Sequence, residues 1–228
     1  MDDAQHMTLL VHTLARLDPG SPLASRLCRA CVQVLGVHGG ALTFAPTGLD
    51  RVSASTEDLL TRRLEDLQEV LGEGPGRTAF AEGRIVRTRL DGGAGDRDDF
   101  STAVLSAAAP AWPVTIVAVP VRSHGRVLAV LTLYDTTGTL AEHGNRVQLL
   151  ADVVGAMLLG SRASFDETWP DDGNRHRAIG MVIAQLRVGP ADALAVLRAR
   201  ALAQTSSLES VVEEVLERRL TFTPDDVT

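Results

Sequence analysis

Val114-Thr115-Ile116-Val117-Ala118-Val119-Pro120-Val121, then Ser123-His124-Gly125, then Arg126-Val127-Leu128-Ala129-Val130-Leu131-Thr132-Leu133-Tyr134 is the stretch on which the fold turns. Two runs rich in β-branched residues flank a glycine-bearing link, which is the pattern of a β-hairpin. Their near-continuous apolar character marks strands at the centre of a sheet rather than at its edge. Both runs are far shorter than the roughly 20 apolar residues a membrane-spanning helix needs.

Working outward from this hairpin, residues 140–160 carry Val147, Leu150, Ala151, Val154, Met157 and Leu158 at helical spacing and stop at Gly160. Upstream, Arg84 to Arg89 suits an edge strand, and Asp91 to Asp99, with three glycines and four aspartates, suits an exposed mobile loop. Leu60, Leu64, Leu67 and Leu71 form one apolar stripe on a helix from about 56 to 71. Gly72-Glu73-Gly74-Pro75-Gly76 lacks the lysine and the preceding buried strand of a phosphate loop, so it reads as a turn into a helix from Arg77 to Glu82. Ala41 to Ala45 and Arg51 to Ser55 read as a strand pair. Two helices precede them, at 7–17 and 22–35, separated by Asp18-Pro19-Gly20-Ser21-Pro22.

Composition narrows the chemistry. The chain has 228 residues, enough for one ordinary domain and a smaller unit, and its 45% hydrophobic and 22% charged content is that of a chain that buries a core. All 22 basic residues are arginine, which excludes a phosphate-loop lysine, a Schiff-base lysine and a kinase-type lysine. The start, Met1-Asp2-Asp3, is acidic where a secretory signal is basic and apolar, so a cytoplasmic location is expected. Cys28 and Cys31 have the spacing of a redox or zinc pair, but they share a helical pattern with Leu23, Leu27, Val32 and Leu35 and read as core packing. The six histidines are scattered, none sits at ligand spacing from a cysteine or carboxylate, and neither a catalytic centre nor a metal site is expected.

The order helix, strand pair, helix, strand, hairpin, helix over residues 7–160 resembles a GAF domain. Glu73-Gly74-Pro75, Trp112-Pro113, the Ala118-Val119-Pro120 strand, and His124-Gly125 before Leu128-Ala129-Val130-Leu131 carry the likeness. The resemblance implies a sensor that binds a small molecule or dimerises; it identifies neither ligand nor pocket lining, and it calls for no cofactor. The family's cyclic-nucleotide signature contains lysine, which this chain lacks.

Residues 161–173 form an acidic hinge with Asp166, Glu167, Asp171, Asp172 and Pro170, and residues 221–228 read as a flexible tail. Between them lie three helical segments, about 174–187, 191–204 and 207–220. Val188-Gly189-Pro190 separates the first two, and Ser206-Ser207-Leu208-Glu209 has the form of a capping box opening the third. Ile179, Val182, Ile183 and Leu186, with Leu194, Leu197 and Leu202 and with Leu208, Val211, Val212 and Val215, supply one small core.

Ala178-Ile179-Gly180-Met181-Val182, Gly189, Ala193-Leu194, Leu197-Arg198-Ala199-Arg200-Ala201, Leu208 with Val211, then Val215 and Leu216 resemble an ANTAR domain across 174–220. Ile179 stands where that family often has lysine, and Val212 where it usually has alanine. The resemblance implies a bacterial antitermination regulator that binds paired RNA hairpins, often as a dimer. Residues 174–220 carry seven arginines against five acids, whereas residues 1–160 carry fourteen against eighteen, so the only net-basic part is the one expected to meet RNA. The candidate RNA contacts are Arg175, His176, Arg177, Arg187, Arg198, Arg200 and Gln204, with Arg198 foremost.

The expected fold class is therefore α+β, a GAF-like antiparallel sheet with flanking helices followed by a small all-α three-helix ANTAR-like domain. A homodimer is expected from the apolar helix 140–160. Two other functions stay open: a DNA-binding regulator built on the short turn at Val188-Gly189-Pro190, and a dimeric interaction module that binds no nucleic acid.

Overall fold

A computed structural model describes residues 3–44, 52–55, 58–91, 99–107, 113–144, 146–160 and 173–223. Residues 161–172 of the expected 161–173 hinge, most of the aspartate-rich loop, Trp112 and the last five residues lie outside them, and Gly173 is already helical.

Helices α1 (Asp3–Arg16) and α2 (Leu23–Leu35) lead into strands β1 (Gly39–Phe44) and β2 (Val52–Ser55). Helices α3 (Leu59–Leu71) and α4 (Pro75–Glu82), strand β3 (Val86–Leu90) and helix α5 (Asp99–Ala107) follow. The hairpin comes next as β4 (Val114–Ser123) and β5 (Arg126–Asp135), then helices α6 (Thr139–Glu142) and α7 (Arg146–Gly160). Three helices complete the described chain: α8 (Gly173–Leu186), α9 (Pro190–Ala203) and α10 (Leu208–Leu216).

The five strands among the described residues are wholly antiparallel in the order β2-β1-β5-β4-β3, so the hairpin does occupy the middle. Its turn is tighter than the sequence suggests. Ser123 pairs with Arg126, leaving only His124 and Gly125, both at positive φ, as a two-residue turn whose twist matches the strands. Pro120 is tolerated in β4 because β3 pairs only as far as Ala118, so no neighbouring strand needs the missing N–H.

Strand alternation divides the side chains between two faces. Val117, Val119, Val121, Leu131 and Leu133 point into a large apolar core with α2 and α7. Helix α7 lies so close to β4 that a Cβ on Gly155 would stand 2.5 Å from the Arg122 carbonyl oxygen. On the opposite face, Val114, Ile116 and Tyr134 meet Leu64 and Leu67 of α3 and Phe100 and Val104 of α5.

Several boundaries differ from the sequence reading. Helix α1 begins at Asp3, not at residue 7, and His6 is buried in its first turns although it belongs to no apolar stripe. Helix α5 was not foreseen; its first turn is held by Glu73 from a distant loop, whose Oε1 accepts the Phe100 N–H at 2.8 Å. The single helix expected over 140–160 is divided into α6 and α7 around Gly144 at positive φ. Helix α10 stops at Leu216 rather than 220, because Arg218 takes a left-handed conformation. The start of the supposed flexible tail is docked: Phe222 is buried and its N–H donates to Gln185 Oε1 at 2.9 Å.

The three C-terminal helices enclose their own core of Ala178, Val182, Leu194, Leu197, Val211 and Val215. Ile179 and Val212, the two departures from the family pattern, are both interior. Leu202 is not; it is 50% exposed. Ala201 takes the inward place, continuing the spacing from Leu194 and Leu197, and Leu202 is turned about 100° away on the helix.

Candidate functional site

Helix α3 is where the two parts of the chain meet. Asp58 caps it by accepting the Thr61 N–H at 2.7 Å. An ordinary surface helix buries one stripe, yet α3 buries Thr61, Leu64, Glu65, Leu67, Gln68, Glu69 and Val70, which is far wider. One flank faces the sheet and the other faces the C-terminal helices.

The sheet flank carries a buried polar network. Glu65 accepts the Thr43 hydroxyl at 3.1 Å through Oε2, and through Oε1 it accepts the Gln68 amide at 2.9 Å and the Tyr134 hydroxyl. Gln68 Oε1 in turn accepts the Gly76 N–H at 2.8 Å. The glycine-rich loop is thus a turn closed onto the chain's own side chains, as its sequence suggests. Each polar group under α3 is paired through another, so displacing one leaves its neighbours unsatisfied in a low-dielectric site.

On the other flank, Val70 joins the core of the C-terminal helices. Glu69 forms an ion pair with Arg175 of α8, Oε1 to Nη2 at 2.7 Å, with side chains only 7% and 11% exposed. One turn along α3, the helix ends at Gly72 in a left-handed cap, and Arg198 Nη1 lies 3.2 Å from where a Cβ on that glycine would stand. A larger residue at 72 would therefore strain both the helix end and the arginine.

The seven candidate RNA contacts separate into two groups. Arg175 and Arg198 turn toward α3. His176, Arg177, Arg187, Arg200 and Gln204 are exposed. Arg187 closes α8 in a left-handed conformation with φ of 58°, its N–H donating to the Ile183 carbonyl at 2.8 Å. Gln204 closes α9. The structure does not gather all seven on one surface. Sequence reasoning missed Glu69 and Val70 as partners of the C-terminal helices, since a glutamate outside the apolar stripe reads as solvated.

Cys28 and Cys31 are fully buried in α2. Burial pushes both thiols up, Cys31 to about 12 and Cys28 further, with the neighbouring Cys31 and then Glu65 adding to the rise at Cys28. Thiols so strongly protonated are poor nucleophiles and poor metal ligands. Among the described residues no cluster of three His, Cys, Asp or Glu is placed to hold a metal ion. The fold does bring His38 to Asp135, Nδ1 to Oδ1 at 3.2 Å, a pairing invisible in sequence spacing. The carboxylate also accepts Thr137 N–H and Oγ1–H and the Leu140 N–H, so it ties the end of β5 to α6. Among the described residues, no single helix is long and apolar enough to cross a membrane; α8 and α9 would pass only as a pair bent by 100°, and their apolar faces fill the C-terminal core.

The model of the GAF domain matches residues 21–158. Among solved structures, the NLH2 GAF domain from A. aeolicus, in an inactive state, aligns over 70% of this chain and 97% of its own length, at 13% identity and a TM-score of 0.48. A free methionine-R-sulfoxide reductase from Neisseria meningitidis, in complex with its substrate, aligns over 71% and 93% at 17% identity and 0.45. A GAF domain/HD domain protein from Geobacter sulfurreducens aligns over 58% and 90% at 17% identity and 0.35. No curated protein matches the chain.

Proposed function

The chain belongs to the GAF-domain family, and from that premise we propose that it is a transcription antitermination regulator whose ANTAR-like C-terminal helices bind tandem RNA hairpins under control of the GAF domain. It acts as a regulator and not as an enzyme. The observation that carries this reading is the division of the arginines: a separate three-helix core presents Arg177, Arg187 and Arg200 to solvent while α3 of the sensor holds Arg175 and Arg198.

Exposed guanidinium groups supply the charge that phosphate binding requires and can fork to base edges or stack on unpaired bases. Arg175 and Arg198 become available only when the C-terminal helices leave α3. RNA and α3 then compete for the same side chains, so a signal that loosens α3 raises RNA affinity through that shared equilibrium. The network of Glu65, Gln68 and Tyr134 on the sheet flank lies on the same helix and gives the sensor a means of moving it. Two hairpins call for two tails, which a homodimer of this chain provides.

The test is a gel-shift titration of the full chain with a tandem-hairpin RNA, against single-hairpin RNA and duplex DNA, across a salt series. Wild type is compared with Arg177→Ala, Arg187→Ala, Arg200→Ala and Arg198→Ala. Preference for the paired hairpins, with each contacting arginine reducing the salt slope by about one, supports the reading. Equal binding to duplex DNA, or no binding by wild type and by a chain freed from α3 through Glu69→Ala, overturns it.

A further inference from the structure

Helices α3 and α5 of the sensor and α9 of the C-terminal helices leave a cleft of about 220 Å³ between them. Leu67 and Val70 of α3 and Ala103 of α5 form one apolar wall, and Ala201 and Leu202 of α9 form the other. Leu202 is the large apolar side chain that the C-terminal core does not use, and it stands half-exposed at this opening.

Two polar groups in the cleft are left over by the fold. The first is Ser206. The sequence offers it as the first residue of a capping box, but the cap of α10 is made by Ser207, which accepts the Ser210 N–H at 3.2 Å. Ser206 Oγ is buried with no hydrogen-bond partner among the described residues, an arrangement that costs free energy until something pairs with it. The preceding Thr205, a β-branched residue, is held at φ of 53°, so the turn that places Ser206 on the cleft wall is itself strained. The second group is Arg63, half-buried on α3, whose guanidinium has no ion-pair partner among the described residues. Asp66 on the same wall has interactions of its own.

We propose that this cleft is a binding site for a small apolar carboxylate, its hydrocarbon body between Leu67, Val70, Ala201 and Leu202 and its carboxylate on Arg63 and Ser206. The chemistry follows from what is present. A carboxylate accepts from a guanidinium fork and from a hydroxyl together through charge-assisted hydrogen bonds; a neutral head makes only the weaker uncharged ones, and a cationic head is repelled by Arg63. At the density of protein interiors the volume suits a molecule of roughly ten non-hydrogen atoms. Such a molecule touches both parts of the chain, so it holds the C-terminal helices on α3 and shifts the docked equilibrium toward the closed side. Binding itself is independent of the RNA reading and is measured without RNA.

The experiment is calorimetric titration of the full chain with phenylacetate, and with phenylacetamide and phenethylamine as neutral and cationic counterparts of the same shape. The expected result is saturable binding of phenylacetate on the order of 0.1–1 mM, at least about tenfold tighter than the amide. Arg63→Gln brings acid and amide to equal affinity, Arg63→Lys retains the preference, and Ser206→Ala weakens the acid about three- to tenfold. Phenylacetate also slows proteolysis within 173–223. No saturable binding, or an amide bound as well as the acid by wild type, overturns the proposal. The acid-to-amide comparison lies within one protein, so a variant that fails to fold does not decide the matter.

Discussion

The two faces of the central sheet are built to different rules. The face under α2 and α7 is a dry, apolar layer in which Leu42, Val117, Val119, Leu131 and Leu133 pack with Leu27, Cys28, Cys31 and Leu150. The face under α3 buries Glu65, Gln68 and Tyr134 in a hydrogen-bonded chain, and the helix that covers it also carries Glu69 to Arg175. An apolar layer tolerates no alternative arrangement at low cost. A polar network poised on a shared helix has a second partner, water, whenever the helix moves. The first face therefore specifies the fold, and the second connects it to the C-terminal helices.

The largest expected effect tests the dry face. Leu131 is fully buried among residues of β1, β4 and both covering helices, so Leu131→Ala leaves a cavity and lowers unfolding free energy by about 2–5 kcal/mol. Chemical denaturation measures it. A loss below about 1 kcal/mol contradicts the rigid packing ascribed to this face.

Glu69→Ala tests the other face, and its consequence is local. Removing one member of a buried ion pair costs about 3–5 kcal/mol when the survivor stays buried. Arg175 has an escape: the C-terminal helices can leave α3 and return it to water. The stability lost is therefore limited by the docking free energy, and the expected outcome is at least about tenfold faster amide exchange across 173–223 with little change in β4 and β5. In the same variant RNA affinity rises at least about threefold, because the docked population no longer competes. Uniform loss of protection across the whole chain breaks the distinction between the two faces.

That distinction also explains what was legible beforehand. Strand alternation and helical periodicity betray apolar burial, so the hairpin, the cover of α2 and α7 and the core of the three C-terminal helices could be read from residues such as Leu131, Leu150 and Val182. Burial of Glu65, Gln68 and Glu69 leaves no such trace, since each could equally be solvated. Helix α5 owes its start to Glu73, a partner 27 residues away that no local propensity encodes. Arg198 was singled out by its place in a motif, and only the packing of α9 beside Gly72 places it against the sensor.

A pH series sharpens the same contrast from the dry side. Folding raises the thiol of Cys31 from an ordinary value of 9.0 to about 12, and Cys28 shifts in the same direction. Below pH 9 both states hold their protons and the folded protein keeps its full stability. Above pH 9 the unfolded chain ionises first and binds fewer protons, so stability falls, by up to about 1.4 kcal/mol per pH unit for each thiol. The decline is measured by denaturation between pH 8.5 and 10.5 and is reduced in Cys28→Ala with Cys31→Ala. A decline of equal slope in that double variant removes the thiols as its cause.

The smallest effect separates stability from function at one residue. Arg187 closes α8 at φ of 58°, where an L side chain is strained by about 1 kcal/mol and glycine is at ease. If this position served only to end a helix, glycine would be the better residue. Arg187→Gly is therefore expected to raise the stability of the C-terminal helices by up to about 1 kcal/mol, seen as slower amide exchange in α8. It is also expected to weaken hairpin binding and to lower the salt slope by about one, because the guanidinium is lost. Arg187→Asn, which tolerates the left-handed conformation better than arginine, should weaken RNA binding equally with a smaller gain in stability. Gain without loss of binding would assign Arg187 to helix termination alone and leave Arg177 and Arg200 to carry the exposed contacts.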